Sequence, residues 1–185
     1  EKKYKLTEET INVGDKTLHC IEALRDFSDV KKGDKGGYIE KEENLSQRGD
    51  CWVYKNAKVY GNAVVREDAK IYDNVKVCGN AEVYGNAKVY DDALVCEDAQ
   101  VYGYAWVCGD ARVYGNARVF ENATISSDAN VCDNAMVRGK ANVYSHADIR
   151  GDAEITADTD YIVFKNWWSS GRFFIWTRSN NMWSV

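Results

Sequence analysis

The sequence predicts an all-β solenoid, in which short strands wind around a narrow core, and a repeat of six residues is the main evidence. Val or Ile occupies every sixth position from Val53 to Ile155, eighteen times without a break. A small residue, almost always alanine, follows four positions later and is usually preceded by Asn or Asp. A unit this short buries its apolar residues only against the units before and after it, so the periodicity indicates a repeat architecture.

The chemistry of one unit, Val-Tyr-Gly-Asn-Ala-Lys at residues 83–88, explains how the chain coils. β-Branched Val and Ile favour extended backbone, and the Gly-Asn pair tolerates the positive φ of a tight turn. One turn after every unit makes a three-sided coil. The eighteen units therefore make six coils. At a strand spacing of about 4.8 Å these coils extend over roughly 29 Å.

Over residues 51–159 this pattern resembles the hexapeptide-repeat, left-handed parallel β-helix superfamily. The resemblance implies the left hand of the coil. The flanking segments 23–27, 33–39 and 44–46, followed by Cys51-Trp52-Val53, resemble the lead-in of uncharacterised hexapeptide-repeat proteins of bacteria and their phages. Some of those proteins are labelled transferases. We therefore expect an all-β, left-handed parallel β-helix of about six coils, with an N-terminal lead-in and an aromatic C-terminal cap.

Three segments follow from the repeat boundaries: an N-terminal capping segment (1–50), the β-helix (51–159) and an aromatic C-terminal segment (160–185). An open β-helix end exposes unpaired backbone, so we expect the C-terminal segment to cap it. Its aromatic and Arg content also predicts an interface with a second copy or another protein, because these residues dominate binding hot spots. The predicted interface residues are Trp167, Trp168, Arg172, Phe174, Trp176, Arg178 and Trp183.

Composition excludes several classes of function. The 185 residues carry a formal net charge of −5, which argues against a nucleic-acid partner. No apolar run approaches the length of a membrane span, and no export signal is present, so we expect a cytoplasmic protein without a membrane partner. The six cysteines contain no Cys-x-x-Cys pair. We therefore expect reduced thiols, with Cys78 and Cys96 as structural neighbours slightly too far apart for a disulfide.

Residues eighteen apart should stack on adjacent coils and form columns. One outward column begins Trp52, Lys70, Lys88, Trp106, and its alternation of aromatic and cationic side chains is suited to an anionic ligand such as a nucleotide or sugar. The alternative is a charged solvent face, since exposed lysines also block unwanted sheet pairing. Columns of stacked tyrosines also admit two interpretations. They form either a ligand-binding strip or a lateral packing of like side chains.

The resemblance also implies a catalytic alternative. Hexapeptide-repeat acyltransferases use a histidine as general base in a groove between the subunits of a trimer, with acetyl-CoA as cosubstrate. His146 is the one histidine within the repeat and is the candidate catalytic residue. The alternative is a corner residue chosen for its tolerance of positive φ. The chain has two histidines, too few for the zinc-binding branch that resembles γ-type carbonic anhydrases, so we expect no metal site.

Three functions remain open. The first is a non-catalytic binding or interaction protein, of a kind that phages encode and that acts on a host component. The second is a CoA-dependent acyltransferase, and the third is a small-ligand binding protein for a nucleotide or sugar. We predict no cofactor beyond acetyl-CoA under the second function. Because homotrimers are common in the superfamily, we expect a homo-oligomer, either a trimer or a dimer, with a protein partner as a further possibility.

Overall fold

The structure is a computed structural model that describes the backbone of residues 2–165, 173–179 and 182–184, with side chains up to Tyr161 and at Thr177. The chain begins with three longer strands, Tyr4–Val13 (β1), Lys16–Ala23 (β2) and Lys35–Ile39 (β3), followed by a 3₁₀ turn at Glu42–Asn44. Eighteen two-residue strands then form the coils. They are Trp52–Val53 (β4), Lys58–Val59 (β5), Val64–Val65 (β6), Lys70–Ile71 (β7), Lys76–Val77 (β8), Glu82–Val83 (β9), Lys88–Val89 (β10), Leu94–Val95 (β11), Gln100–Val101 (β12), Trp106–Val107 (β13), Arg112–Val113 (β14), Arg118–Val119 (β15), Thr124–Ile125 (β16), Asn130–Val131 (β17), Met136–Val137 (β18), Asn142–Val143 (β19), Asp148–Ile149 (β20) and Glu154–Ile155 (β21).

These strands make three parallel sheets, one on each side of the coil. The first sheet has the strand order β4-β7-β10-β13-β16-β19, and the second has β6-β9-β12-β15-β18-β21. The third runs β5-β8-β11-β14-β17-β20 and is extended at one edge by β3, β2 and β1. Strand pairing joins residues eighteen apart, as in Lys88 with Trp106. The predicted all-β parallel β-helix is confirmed, with the three-sided coil that the six-residue repeat predicts.

The core consists of the repeated Val, Ile and Ala side chains. Val101 and its neighbours at every sixth position have no exposed surface, and alanines such as Ala99 fill the inside of the turns. Burying a Val or Ile contributes about 1.5–3 kcal/mol, so the sum over the repeat is the main stabilising term. Little space is left beside the valines where the chain turns, which explains why alanine recurs there, with Val75 as an exception.

Carboxylates join the corners of successive coils. Glu97 has a positive φ of 60°. Its Oε2 accepts a hydrogen bond of 2.9 Å from the backbone N–H of Gly115, which lies on the next coil. Glu67 accepts from Gly85 in the same way, at 3.0 Å. Asn and Asp side chains at the following corner position form ladders as well, such as Asn80 Nδ2 to Asp98 Oδ1 at 2.9 Å. The polar residues of the repeat therefore satisfy backbone groups that the turns leave unpaired.

The N-terminal segment adds one more turn before the six predicted coils. β1 and β2 form an antiparallel hairpin, and β3 pairs in parallel with β5. Leu45 forms a parallel bridge with Val65 on a second side of the coil. Lys3 is completely buried beside this turn, and its Nζ donates to the backbone oxygen of Cys51 at 2.8 Å. Burial lowers the pKa of Lys3.

The C-terminal end of the solenoid is closed by side chains near Tyr161. A second 3₁₀ turn at Asp158–Asp160 follows the last coil strand. The Asp160 carboxylate accepts from the backbone N–H groups of Thr156 and Ala157 at 2.8 and 2.9 Å. The Tyr161 hydroxyl donates to the backbone oxygen of Asn142 at 2.8 Å. Strands Tyr161–Lys165 (β22), Phe173–Ser179 (β23) and Met182–Ser184 (β24) form an antiparallel sheet, whose central strand lies near β20 and β21.

In the part of the chain that the structure describes, no helix has the length and apolar character needed to cross a bilayer.

Asn44 provides a test of how the first turn is held. Its side chain is fully buried, and its Nδ2 donates to the backbone oxygens of Gly61 at 3.1 Å and Ala63 at 2.8 Å. Asn44→Asp replaces this donor with a carboxylate that faces the same two oxygens. We expect the free energy of unfolding to fall by about 2–3 kcal/mol, since a buried polar group loses its partners. Urea denaturation measures the change.

Asn62→Asp is the matched control, because Asn62 lies at a corner on the next coil and is exposed. We expect this variant to unfold within about 0.5 kcal/mol of the unmodified chain, as is usual for surface changes. Equal effects of the two substitutions would contradict the role given to Asn44.

Candidate ligand groove

A groove of about 440 Å³ runs along the solenoid where the second sheet turns into the first. Two columns border it. One consists of outward residues of the first sheet, and the other of corner residues that precede the strands of that sheet by two positions. Because stacking repeats every eighteen residues, each column contributes one side chain per coil. The lining residues are Ser28, Asp50, Asp68, Lys70, Asn86, Lys88, Tyr104 and Trp106.

One end of the groove is aromatic. Tyr104 is 62% exposed and Trp106 is 44% exposed, and they stand out as large apolar side chains on the surface. The Trp106 ring is held by Tyr90, whose ring meets it edge-on at a centroid distance of 6.3 Å. Tyr104 stands at a corner where most coils carry Asn or Asp. An aromatic ring therefore stands where most other coils have an Asn or Asp side chain. This ring forms the apolar wall of the groove.

Two lysines lie in the middle of the groove, and they differ in whether a carboxylate of the protein neutralises their charge. Lys70 Nζ donates to Ser28 Oγ at 2.9 Å and contacts Tyr54 OH at 3.0 Å, and it forms an ion pair with Asp29. Partial burial opposes ionisation of Asp29, but hydrogen bonds from Lys70 and Tyr54 lower its pKa to about 2. The charge of Lys70 is therefore already balanced within the protein.

Lys88 is the cation available to a ligand. Its side chain is exposed, and its Nζ lies 5.5 Å from the centroid of the Trp106 ring. Among the described residues, no carboxylate forms an ion pair with it at 4.0 Å or less. An ammonium that contacts only an aromatic face keeps its charge for an incoming anion.

The other end of the groove is acidic. The Asp68 carboxylate accepts the backbone N–H of Asp50 at 3.0 Å, and both residues line the groove. Asn86 lies between this acidic end and the aromatic end. These groups accept hydrogen bonds from hydroxyls, and their negative charge disfavours a ligand with several phosphates.

The structure brings together three of the four residues predicted for ligand binding, Lys70, Lys88 and Trp106. Trp52 occupies the expected column, paired with Lys70, but it is only 1% exposed. Phe27 and Tyr4 cover it with edge-on ring contacts at centroid distances of 5.3 and 6.0 Å. Trp52 therefore belongs to the core beneath the lead-in. Sequence reasoning missed Tyr104, although its departure from Asn or Asp at the corner was a visible signal.

His146 lies outside the groove. It belongs to the coil two turns beyond Trp106, at the corner that follows strand β19, whereas the corner residues of the groove precede their strands. Its side chain is about half exposed, and its Nδ1 is 3.9 Å from Asp128 Oδ2. That separation exceeds a hydrogen bond. The histidine and the carboxylate are thus neighbours in one corner column.

The predicted interface at the C-terminus lies outside the described side chains and stays a prediction. Three of its residues, Trp167, Trp168 and Arg172, lie outside the described residues altogether. The other four, Phe174, Trp176, Arg178 and Trp183, lie on β23 and β24, and the structure describes only the backbone of these four residues. Within the described part of the chain, no three His, Cys, Asp or Glu side chains are arranged to hold a metal ion.

Comparison with known proteins finds the same type of repeat. A family model described as the YdcK Beta solenoid repeat matches residues 105–121 and 111–127. The uncharacterized acetyltransferase YdcK of Escherichia coli (strain K12) is 44% identical over 55 residues, which are 29% of this chain. The matched region spans 17% of YdcK, well under two thirds of that protein's length. Together with the parallel solenoid described above, these matches support the resemblance to the hexapeptide-repeat β-helix superfamily.

Proposed function

We propose that this hexapeptide-repeat β-helix is a non-catalytic binding protein whose groove holds a small acidic sugar. The observation that carries the proposal is the convergence of Lys88, Tyr104 and Trp106 in one groove that also contains carboxylate and amide oxygens. A rigid parallel solenoid supports these side chains, so little conformational entropy is lost when a ligand orders them.

The aromatic end fits the apolar face of a pyranose ring. Tyr104 and Trp106 are exposed while the neighbouring coil restrains the Trp106 ring, so a flat ligand gains contact area at low cost in side-chain freedom. The oxygens of Asp50, Asp68 and Asn86 are suited to the hydroxyl groups of a sugar, each of which donates one hydrogen bond.

The charges favour one negative group in the ligand rather than several. Lys88 supplies one unneutralised cation, whereas Lys70 is balanced by Asp29. Asp50 and Asp68 would repel a di- or triphosphate. A sugar that carries a single carboxylate, such as a uronic acid, matches this arrangement better than a nucleotide does.

Isothermal titration calorimetry with galacturonic acid, a monosaccharide with a single carboxylate, tests the proposal. We expect this acidic saccharide to bind, the neutral saccharide galactose to bind more weakly, and ATP to give no heat of binding. Lys88→Met should weaken binding of the acidic saccharide about tenfold, the loss of one charge-assisted hydrogen bond. Trp106→Ala should weaken binding of both saccharides by about tenfold or more through lost stacking.

Two surface residues provide matched controls. Lys76 is an exposed lysine that begins strand β8 of the third sheet, as Lys88 begins strand β10 of the first. Tyr144 is an aromatic residue that is 51% exposed but does not line the groove. Lys76→Met and Tyr144→Ala should leave the affinity unchanged. Equal losses in Lys76→Met and Lys88→Met would place the site elsewhere, and equal affinity for the acidic and neutral saccharides would remove the role of Lys88.

Acyl transfer from acetyl-CoA is the second candidate function, favoured by the similarity to a protein whose name includes acetyltransferase. His146 is the residue that would act as general base, and the Asp128 carboxylate lies 3.9 Å from its Nδ1. The site would be separate from the groove, since His146 lies two coils beyond Trp106.

The acyltransferase function predicts that acetyl-CoA binds and that His146→Ala reduces acetyl transfer to a sugar acceptor by about 10²-fold or more, the usual contribution of a general base. His19→Ala is the control, because His19 lies on β2, outside the repeat, and its Nδ1 is 3.0 Å from Thr7 O. Calorimetry measures the binding of acetyl-CoA, and an assay of the released CoA thiol measures acetyl transfer. Absence of acetyl-CoA binding would reject this function and favour the non-catalytic one.

A further inference from the structure

Two cysteines stand directly above one another at a corner of the solenoid. Cys78 and Cys96 each follow a core valine, and Val77 and Val95 are partners in the strand register. The backbone N–H of each cysteine donates to the next coil at 3.0 Å, to Val95 O and Val113 O respectively. The two side chains therefore leave equivalent backbone positions, about 4.8 Å apart, which lies inside the roughly 4.4–6.8 Å range of Cα separations in disulfides.

The surroundings favour a nucleophilic thiolate at Cys78. The Cys96 thiol donates a hydrogen bond to the Cys78 sulfur, and this contact lowers the pKa of Cys78 to about 6. A hydrogen bond from Tyr60 and the charge of Lys76 act in the same direction, while partial burial and the carboxylate of Glu97 oppose it. Both cysteines are partly exposed, so small reagents reach them.

Cys96 is suited to be the second thiol, which attacks after Cys78 has reacted. Its hydrogen bond to Cys78 and its partial burial raise its pKa, with Glu97 adding to this and Arg112 opposing it. It stays protonated while Cys78 ionises, and it becomes the attacking group only after Cys78 has reacted and ceased to be an anion.

The other four cysteines lack this arrangement. Cys20, Cys51 and Cys132 are buried. Cys108 is partly exposed at another corner, where its column neighbours are Tyr90 and Ser126 rather than a thiol. Among the six cysteines, all of which the structure describes, only Cys78 and Cys96 combine partial exposure with an adjacent thiol.

We propose that Cys78 and Cys96 form a redox-sensitive dithiol, a modification site that closes to a reversible disulfide by exchange with a low-molecular-weight disulfide. In the first step the Cys78 thiolate attacks one sulfur of oxidised glutathione, forms a mixed disulfide and releases one glutathione thiolate. In the second step Cys96 loses its proton to water, attacks the Cys78 sulfur and releases the second glutathione thiolate. The dithiol is oxidised by two electrons, and oxidised glutathione is reduced to two glutathione molecules.

The fold makes this disulfide easy to reduce. In-register stacking holds the two Cβ atoms near the strand spacing of about 4.8 Å, whereas a relaxed disulfide prefers about 3.8 Å. Closing the bond draws two coils together locally, and strained disulfides have more oxidising potentials. The same strain that makes a permanent structural bridge unfavourable suits a switch that glutathione can reset.

Peptide mapping of the full chain after equilibration in glutathione redox buffers tests the proposal. We expect the oxidised protein to lose two hydrogen atoms and yield a peptide linked through Cys78 and Cys96, and excess reduced glutathione to reverse the change. In Cys96→Ser the reaction should stop at a glutathionyl group on Cys78. In Cys78→Ser both products should be absent. Cys108→Ser, the matched control, should form the same linked peptide as the unmodified chain.

Iodoacetamide labelling of the reduced protein gives an independent readout. Labelling of Cys78 should reach half its maximum rate near pH 6, and this midpoint should shift to higher pH in Cys96→Ala, because alanine removes the hydrogen-bond donor. The proposal is overturned if oxidised glutathione leaves both thiols free, if mixed disulfides accumulate while Cys96 is present, or if the linked peptide resists reduced glutathione.

Discussion

Backbone hydrogen bonds between successive coils determine the position of every side chain in the solenoid. Each bond joins an N–H group to a carbonyl one coil further on, as in Tyr84 N to Val101 O at 3.0 Å. Because these bonds tolerate no slip between coils, residues eighteen apart stand above one another and form continuous columns. The buried Val and Ile columns, the carboxylate contacts at the corners and the groove all follow from this register.

Because residues stack in columns, one residue that differs from the repeat is enough to create a functional site. Tyr104 in a corner column of Asn and Asp creates the apolar wall of the groove. Two cysteines in successive positions of a corner column, between Tyr60 and Tyr114, create the dithiol. In both places the backbone is unchanged, so the solenoid acquires a binding or modification site without losing core packing. The stacked rings of Tyr84 and Tyr102, at 4.8 Å, show the ordinary outcome, in which like residues only pack together.

The six-residue period was sufficient to predict the coils, their register and the buried columns, because each unit repeats the same local physics. It was also sufficient to align Lys70, Lys88 and Trp106 on one face. The period carries no information on the lead-in, which has no repeat. The burial of Trp52 under Phe27 and the neutralisation of Lys70 by Asp29 were therefore not predictable from sequence. The period also gives no indication that the corner column of Tyr104 borders a groove, because the groove depends on which side chains stay exposed.

The central claim is that the groove beside Trp106 is a binding site supported by a rigid solenoid. Two-dimensional NMR of the tryptophan indole N–H signals during titration with galacturonic acid tests it most directly, since Trp106 lines the groove and Trp52 lies buried on the same column. We predict that the Trp106 signal shifts in a saturable manner while the Trp52 signal stays in place. A stationary Trp106 signal at saturating saccharide, or an equal shift of both signals, would contradict the account.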